Sequence, residues 1–324
     1  MSSGKAGRVS VVGAGTMGSG IAQTFAQGGY DVALVDESPE FLDRCVARIR
    51  SNLDLFAEYN LLREEPGETL ARISTHLAEG LGDATDGTQL VVESISENLH
   101  AKRALFTRLD ALPQNVLLGS NTSSLTISAI TKGMRTAERV VGTHYFNPAH
   151  IIPAVEIHRG ERTSDKAVMS VREILERTGK KSIMVCKEVT GFVINRLTGA
   201  LEREIDYLLD EGVVSPQDLD VAVKSSLGFR LACLGPMEAE DMIGLDIAAR
   251  ASRNIFKVLS NASESSPELA EKIKRGELGI KTGKGWYDYS GRDTEDVLAE
   301  RNRRLLDQLA LFSREHGLDE GTST

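Results

Sequence analysis

Three glycines, Gly13, Gly15 and Gly18, fall in the order Gly-x-Gly-x-x-Gly, with Ala14, Thr16 and Met17 between them. Glycine at the first position allows a tight turn. At the second it lets backbone approach a pyrophosphate, and at the third it lets a helix pack closely on a strand. A helix that starts there offers free N–H groups and a positive dipole end to phosphate oxygens. Asp36 follows at the end of the next apolar run. A carboxylate there accepts from ribose hydroxyls and repels a 2′-phosphate, so the chemistry points to NAD rather than NADP.

These residues require a strand before them, a helix after them and a second strand ending at Asp36. The sequence supplies all three. Arg8–Val12 is rich in β-branched residues, 19–27 reads as a helix, and 30–35 reads as a strand. A longer helix over about 39–62 places Leu42, Val46, Ile49, Leu53 and Phe56 at helical spacing. Further strands are expected at 72–75, 89–93, 116–120, 139–143, 153–157 and 181–185, with helices at 99–109 and 165–178. Alternating strand and helix implies a parallel sheet covered on both faces. Beyond Lys187 strands give way to helical stretches at 192–211, 216–226, 236–259 and 293–312. The expected architecture is α/β: a doubly wound Rossmann-type domain over residues 1–188, followed by an all-α domain over 189–324. Residues 319–324 read as an unstructured tail.

The composition limits the remaining possibilities. A formal net charge of −9 argues against nucleic acid as a partner. No apolar run is long enough to span a membrane, and the N-terminus lacks the pattern of a signal peptide. Cys45, Cys186 and Cys233 form neither a metal-type pair nor an even disulfide set. A reducing cytoplasm and a metal-free site fit best.

Histidine is suited to take a hydroxyl proton while hydride leaves carbon, because its pKa lies near neutrality. His144 occurs in His144-Tyr-Phe-Asn147-Pro. Together with the glycine motif, Ser120-Asn-Thr-Ser-Ser124 and Gly191-Phe-Val-Ile-Asn195-Arg, this order of motifs resembles the 3-hydroxyacyl-CoA dehydrogenase superfamily from about residue 8 to 290. The resemblance implies that His144 is the general base and Glu156 its orienting carboxylate. Ser123 and Asn195 match the substrate-contacting serine and asparagine. Ser123 could alternatively cap a helix starting near Thr126. Glu97, Lys102, Asn147 and Lys281 match cofactor contacts. A homodimer through the C-terminal domain is also implied.

The departures concern the substrate. Acyl-CoA users of the family carry a lysine-rich helical pair after the second strand. Here Arg44, Arg48, Arg50 and Arg63 are outnumbered by Asp43, Asp54, Glu58, Glu64 and Glu65, a poor cradle for a polyanion. The positions matching the CoA-contacting serine and lysine are Asn52 and Tyr59. Thr190 replaces the usual proline before Gly191. The segments Pro148-Ala-His150-Ile-Ile-Pro153, Glu211–Asp220 and Gly228-Phe-Arg230-Leu-Ala-Cys-Leu-Gly-Pro-Met237 resemble the branch containing lambda-crystallin, gulonate dehydrogenase and carnitine dehydrogenase. Arg230 is then a candidate to receive a substrate carboxylate in a bidentate contact. The leading expectation is an NAD-dependent dehydrogenase of a small 3-hydroxy acid or 3-hydroxyacyl thioester. The alternatives are a 3-hydroxyacyl-CoA dehydrogenase of fatty-acid or butyrate metabolism, and a non-catalytic NAD-binding protein of the crystallin kind.

Overall fold

The computed structural model describes residues 6–315; the tail expected at 319–324 lies outside them. The chain divides into two compact units, one comprising residues up to Val193 together with those from Leu298 onward, the other Ile194–Val297.

The first unit is built on a sheet of eight strands: β1 (Arg8–Val12), β2 (Asp31–Asp36), β3 (Ile73–Leu77), β4 (Leu90–Glu93), β5 (Leu117–Ser120), β6 (Val140–Tyr145), β7 (Ala154–Arg159) and β8 (Lys181–Val185). Their spatial order is β3-β2-β1-β4-β5-β6-β7-β8. The central strands are nearly continuous in apolar residues because both faces are covered: Val9, Val11, Val32, Leu34, Leu90 and Val92 face one cluster, while Val12, Val35, Val91, Leu118 and Val140 face the other. Helices α1 (Thr16–Gln27) and α2 (Pro39–Glu58) pack on the first face, and α3 (Leu99–Leu109) on the second. The strand order reverses between β2-β1 and β4-β5, which opens a crevice at the carboxyl ends of β1 and β4.

The expectation of a wholly parallel sheet fails at one pair. β7 runs antiparallel to β6, because the connection between Tyr145 and Ala154 is too short for a crossover helix. β8 returns to parallel pairing with β7 through the helix α4 (Asp165–Arg177).

Helix α2 is shorter than its periodicity suggests. Ser38 caps it and Pro39 opens it, but it stops at Glu58, and Asn60 takes a left-handed φ of 55°. The second unit is helical, beginning with α5 (Ile194–Asp210) and α6 (Pro216–Ala222). The stretch expected at 236–259 is two helices, α7 (Pro236–Ile243) and α8 (Leu245–Ile255). Gly244, with a φ of 103°, breaks it in a conformation that a helix interior cannot accept. The last helix, α9 (Thr294–Glu315), returns the chain to the first unit. There Leu306 is fully buried against Phe56 of α2 and Ile151, flanked by Leu305, Leu309, Tyr59 and Leu61. Among the described residues no helix is long and apolar enough to cross a membrane.

Candidate active site

The glycine turn lies in the β1–α1 connection at the crevice. Gly13 has a φ of 109°, and its N–H donates to the Val35 carbonyl at 2.7 Å. A side chain on Gly15 would meet nothing within 4 Å, so the space over the turn is open to a ligand. Helix α1 starts at Thr16 and Met17 with no side-chain cap and no acid in its first turn, which leaves its first N–H groups available to an anion. Asp36 is fixed by the same turn: Oδ2 accepts from Ala14 N at 2.7 Å and Oδ1 from Ser38 N at 3.1 Å. A cavity of about 540 Å³ opens between Gly15, Asp36, Phe41, Ser94, Ile95 and Arg108. An anion-ready helix end, a bare glycine and a carboxylate beside an apolar cleft fit an adenine dinucleotide.

At the other end of the sheet, pairing puts His144 directly opposite Glu156. His144 Nδ1 and Glu156 Oε2 are 2.7 Å apart, with the carboxylate fully buried and the imidazole nearly so. The second carboxylate oxygen, Oε1, accepts from Val193 N at 3.0 Å. With a buried acceptor on Nδ1, the ring's proton is held there, and Nε2 is the nitrogen available to a base's task.

Glu97 organises the segment after β5. Its Oε1 accepts from Thr122 Oγ1 at 2.6 Å, from the N–H groups of Ser123 and Ser124 at 2.9 Å each, and from both serine hydroxyls. Partial burial opposes its charge, but Thr122, Lys102 and Ser124 outweigh that and hold the carboxyl at about 2. Ser123 does not cap the following helical turn; Thr126 does, accepting from Ala129 N.

Lys102, matched above to a cofactor contact, has a side chain that is 1% exposed. Its Nζ donates to Glu93 Oε1 at 2.6 Å and lies 3.3 Å from Glu97 Oε2. Glu93 also accepts from Ser120 Oγ and Ile95 N. Lys102 thus joins Glu93 and Glu97 in one ion-paired cluster. Glu93 was missed because, within an apolar strand, nothing in its spacing marks it. Asn147 is exposed at the end of β6 and precedes a cis proline; nearby, Asn121 Oδ1 accepts from Tyr145 N.

In the second unit, Asn195 lies in the first turn of α5. Arg230 is exposed on a short helical turn, Gly228–Leu231, that follows a π-helical turn at Val223–Leu227. Lys281 is exposed in a single turn, Ile280–Thr282.

Comparison with known proteins identifies the family. Residues 8–189 match the family model "3-hydroxyacyl-CoA dehydrogenase, NAD binding domain", and residues 191–289 match "3-hydroxyacyl-CoA dehydrogenase, C-terminal domain". The chain is 34% identical over 299 residues to 5-formyl-3-hydroxy-2-methylpyridine 4-carboxylate 5-dehydrogenase of Mesorhizobium japonicum, covering 92% of this chain and 96% of that one. It is 35% identical over 285 residues to a probable 3-hydroxybutyryl-CoA dehydrogenase of Bacillus subtilis, covering 87% and 97%. A crystal structure of the 5-formyl-3-hydroxy-2-methylpyridine 4-carboxylic acid 5-dehydrogenase, described as an NAD+-dependent dismutase, superposes with a TM-score of 0.86 at 32% identity, covering 96% and 98%. Helix α9 lies beyond residue 289, outside both family models.

Proposed function

The chain belongs to the 3-hydroxyacyl-CoA dehydrogenase family of NAD-dependent oxidoreductases acting on CH–OH groups, and on that premise we propose the roles of its residues and the class of its substrate. His144 is the general base and Glu156 orients it; the buried 2.7 Å contact between them carries this reading. NAD, when bound, supplies the hydride acceptor. As hydride leaves the carbinol carbon, the hydroxyl proton passes to His144 Nε2, because Nδ1 is committed to Glu156. The carboxylate then faces an imidazolium, and its charge stabilises what has formed. Ser123 and Asn195 donate to the reacting oxygen. The backbone at Gly13, Gly15, Thr16, Met17 and Gly18 holds the pyrophosphate, and Asp36 the adenosine ribose. Glu97, Asn147 and Lys281 contact the cofactor, with Lys102 acting through Glu97.

The substrate is a compact acid, free of CoA, with Arg230 receiving its carboxylate. The two positions aligned with CoA contacts support this. Asn52 Nδ2 is spent on Gln23 Oε1 at 3.1 Å, and Tyr59 packs in the apolar cluster that α9 completes. The relative from Mesorhizobium japonicum bears the name of a small pyridine carboxylate. A hydrated aldehyde on such a ring presents the same H–C–O–H unit as a secondary alcohol, so one base serves both. The test is NADH absorbance with purified protein and three probes: acetoacetyl-CoA in the reducing direction, and free 3-hydroxybutyrate and a formylpyridine carboxylate in the oxidising direction. Turnover of a free acid at the higher kcat/KM supports the reading; turnover of the thioester alone overturns it.

A homodimer through the second unit is part of the same proposal. Among the described residues, no apolar side chain of that unit is buried within one copy. Phe229, Met242, Phe256 and Val258 are 67–71% exposed, more than a solitary helical unit leaves to water. Light scattering on the eluted protein should give twice the chain mass of 35.2 kDa. A cytoplasmic location accords with the free thiols of Cys45, Cys186 and Cys233.

A further inference from the structure

The chain leaves the first unit through Gly191, Phe192 and Val193, and this strap is fastened to the His144–Glu156 pair. Val193 N reaches Glu156 Oε1 at 3.0 Å, while the other oxygen holds His144. The Phe192 ring stacks on the imidazole of His158, centroids 3.7 Å apart and 26° between planes, and lies 5.7 Å from the ring of His144. Strand pairing explains the crowding. Gly142 faces His158 across β6 and β7 just as His144 faces Glu156. A side chain at Gly142 would lie 2.0 Å from His158 Nδ1, so only glycine lets the second imidazole lie there.

Two local choices here are unfavourable by themselves. Phe192 has a φ of 50°, and Asn60 is the one other non-glycine described residue with a positive φ. The left-handed region is costly for an aromatic L-residue. His158 is 1% exposed, and neither ring nitrogen has a hydrogen-bond partner among the described residues. A leucine would fill that space without leaving polar atoms unsatisfied. Strain and an unsatisfied imidazole, side by side against a buried acid–base pair, indicate a requirement other than stability.

We propose that Phe192 is a positioning residue for the base. Its ring, clamped on His158, holds the strap in the one conformation that brings Val193 N–H to Glu156. That hydrogen bond fixes the carboxylate, and the carboxylate fixes the tautomer and direction of His144. The proposal rests on the reading of His144 as the base, but it is tested without any substrate.

The experiment is nitrogen NMR of the full-length, histidine-labelled protein saturated with NAD, comparing wild type with Phe192→Ala and Phe192→Gly. In wild type, His144 shows one tautomer, protonated on Nδ1. In both variants, loss of the ring mixes the tautomers and speeds exchange of the Nδ1 proton by about tenfold, the equivalent of one lost hydrogen bond. Glycine removes the backbone strain, so it separates ring from backbone and should fold even where the alanine variant is too unstable to measure. NAD affinity, read by fluorescence, stays at the wild-type value in both. A wild-type His144 spectrum in Phe192→Gly overturns the proposal, whatever the substrate panel has shown.

Discussion

His144 and Glu156 are cross-strand neighbours in the one antiparallel pair of the sheet, joined Nδ1 to Oε2 at 2.7 Å inside the protein. The imidazole thus has one nitrogen held and one to spare. His144→Asn is expected to lower kcat by about 10²–10⁴-fold, the usual worth of a positioned base, with NAD binding intact. Glu156→Gln should lose less, because its one carbonyl oxygen can still accept from Nδ1–H, although the amide NH2 then faces Val193 N–H and the neutral amide cannot stabilise an imidazolium. Steady-state kinetics together with NAD fluorescence titration checks both.

Asp36 takes one hydrogen bond from the glycine turn and another from Ser38. Asp36→Ala removes both and the negative charge beside the proposed ribose site. KM for NAD should rise by about ten- to a hundredfold, in line with loss of charge-assisted hydrogen bonds. The preference against NADP should shrink. Parallel titrations with the two dinucleotides decide this; an unchanged ratio removes Asp36 from the selectivity argument.

Lys102 neutralises Glu93 in a site where both are at most 1% exposed. Lys102→Met leaves the carboxylate buried without its cation, at an expected cost of about 3–5 kcal/mol. The double change Lys102→Met with Glu93→Gln should recover a large part of that. Urea denaturation measures both. A single variant as stable as wild type would mean that water enters the site.

Lys180 gives a pH signature. Its Nζ is buried and donates to the carbonyls of Ala149 and Ile152 at 2.6 and 2.7 Å. Burial lowers its pKa from 10.5 to about 7. Between those values the unfolded chain binds more protons than the folded one, so this residue makes stability rise with pH from about 7 towards 10.5. Below that window the cost of burying the charged form is fully present. Lys180→Met should abolish this component of the slope, read from denaturation midpoints across the range.

Leu306 is fully buried where α9 meets Phe56 and Ile151. Leu306→Ala is expected to cost about 2–5 kcal/mol, as buried leucine truncations do, and to increase proteolysis within α9. Limited trypsin digestion followed by mass spectrometry locates the first cut. Protection equal to wild type would show that the helix does not depend on this contact.

The nucleotide-binding half of the fold was legible because its signals are local. Glycine spacing, alternating apolar runs and an acid at a strand end need only neighbours in sequence. The reversal at β7 was less visible, since a strand's direction depends on the length of its connection rather than its composition. The pairing of Lys102 with Glu93 and Glu97 was hidden for a related reason: the three residues are brought together from separate segments. Gly244 and Asn60 cut helices that periodicity alone would continue. Phe192 belonged to a motif that was noticed, but its stacking on His158 required the β6–β7 register, which no residue count provides.

The short turn between β6 and β7 also bears on how the protein comes to be active. His144 and Glu156 are only 12 positions apart in the chain, so their meeting closes a small loop. Contacts of short sequence separation carry little closure entropy and form early. The acid–base pair can therefore assemble with its hairpin, while β1 and β4 still have to find each other across some eighty residues. During synthesis, both of its members have been made before any residue of the second unit.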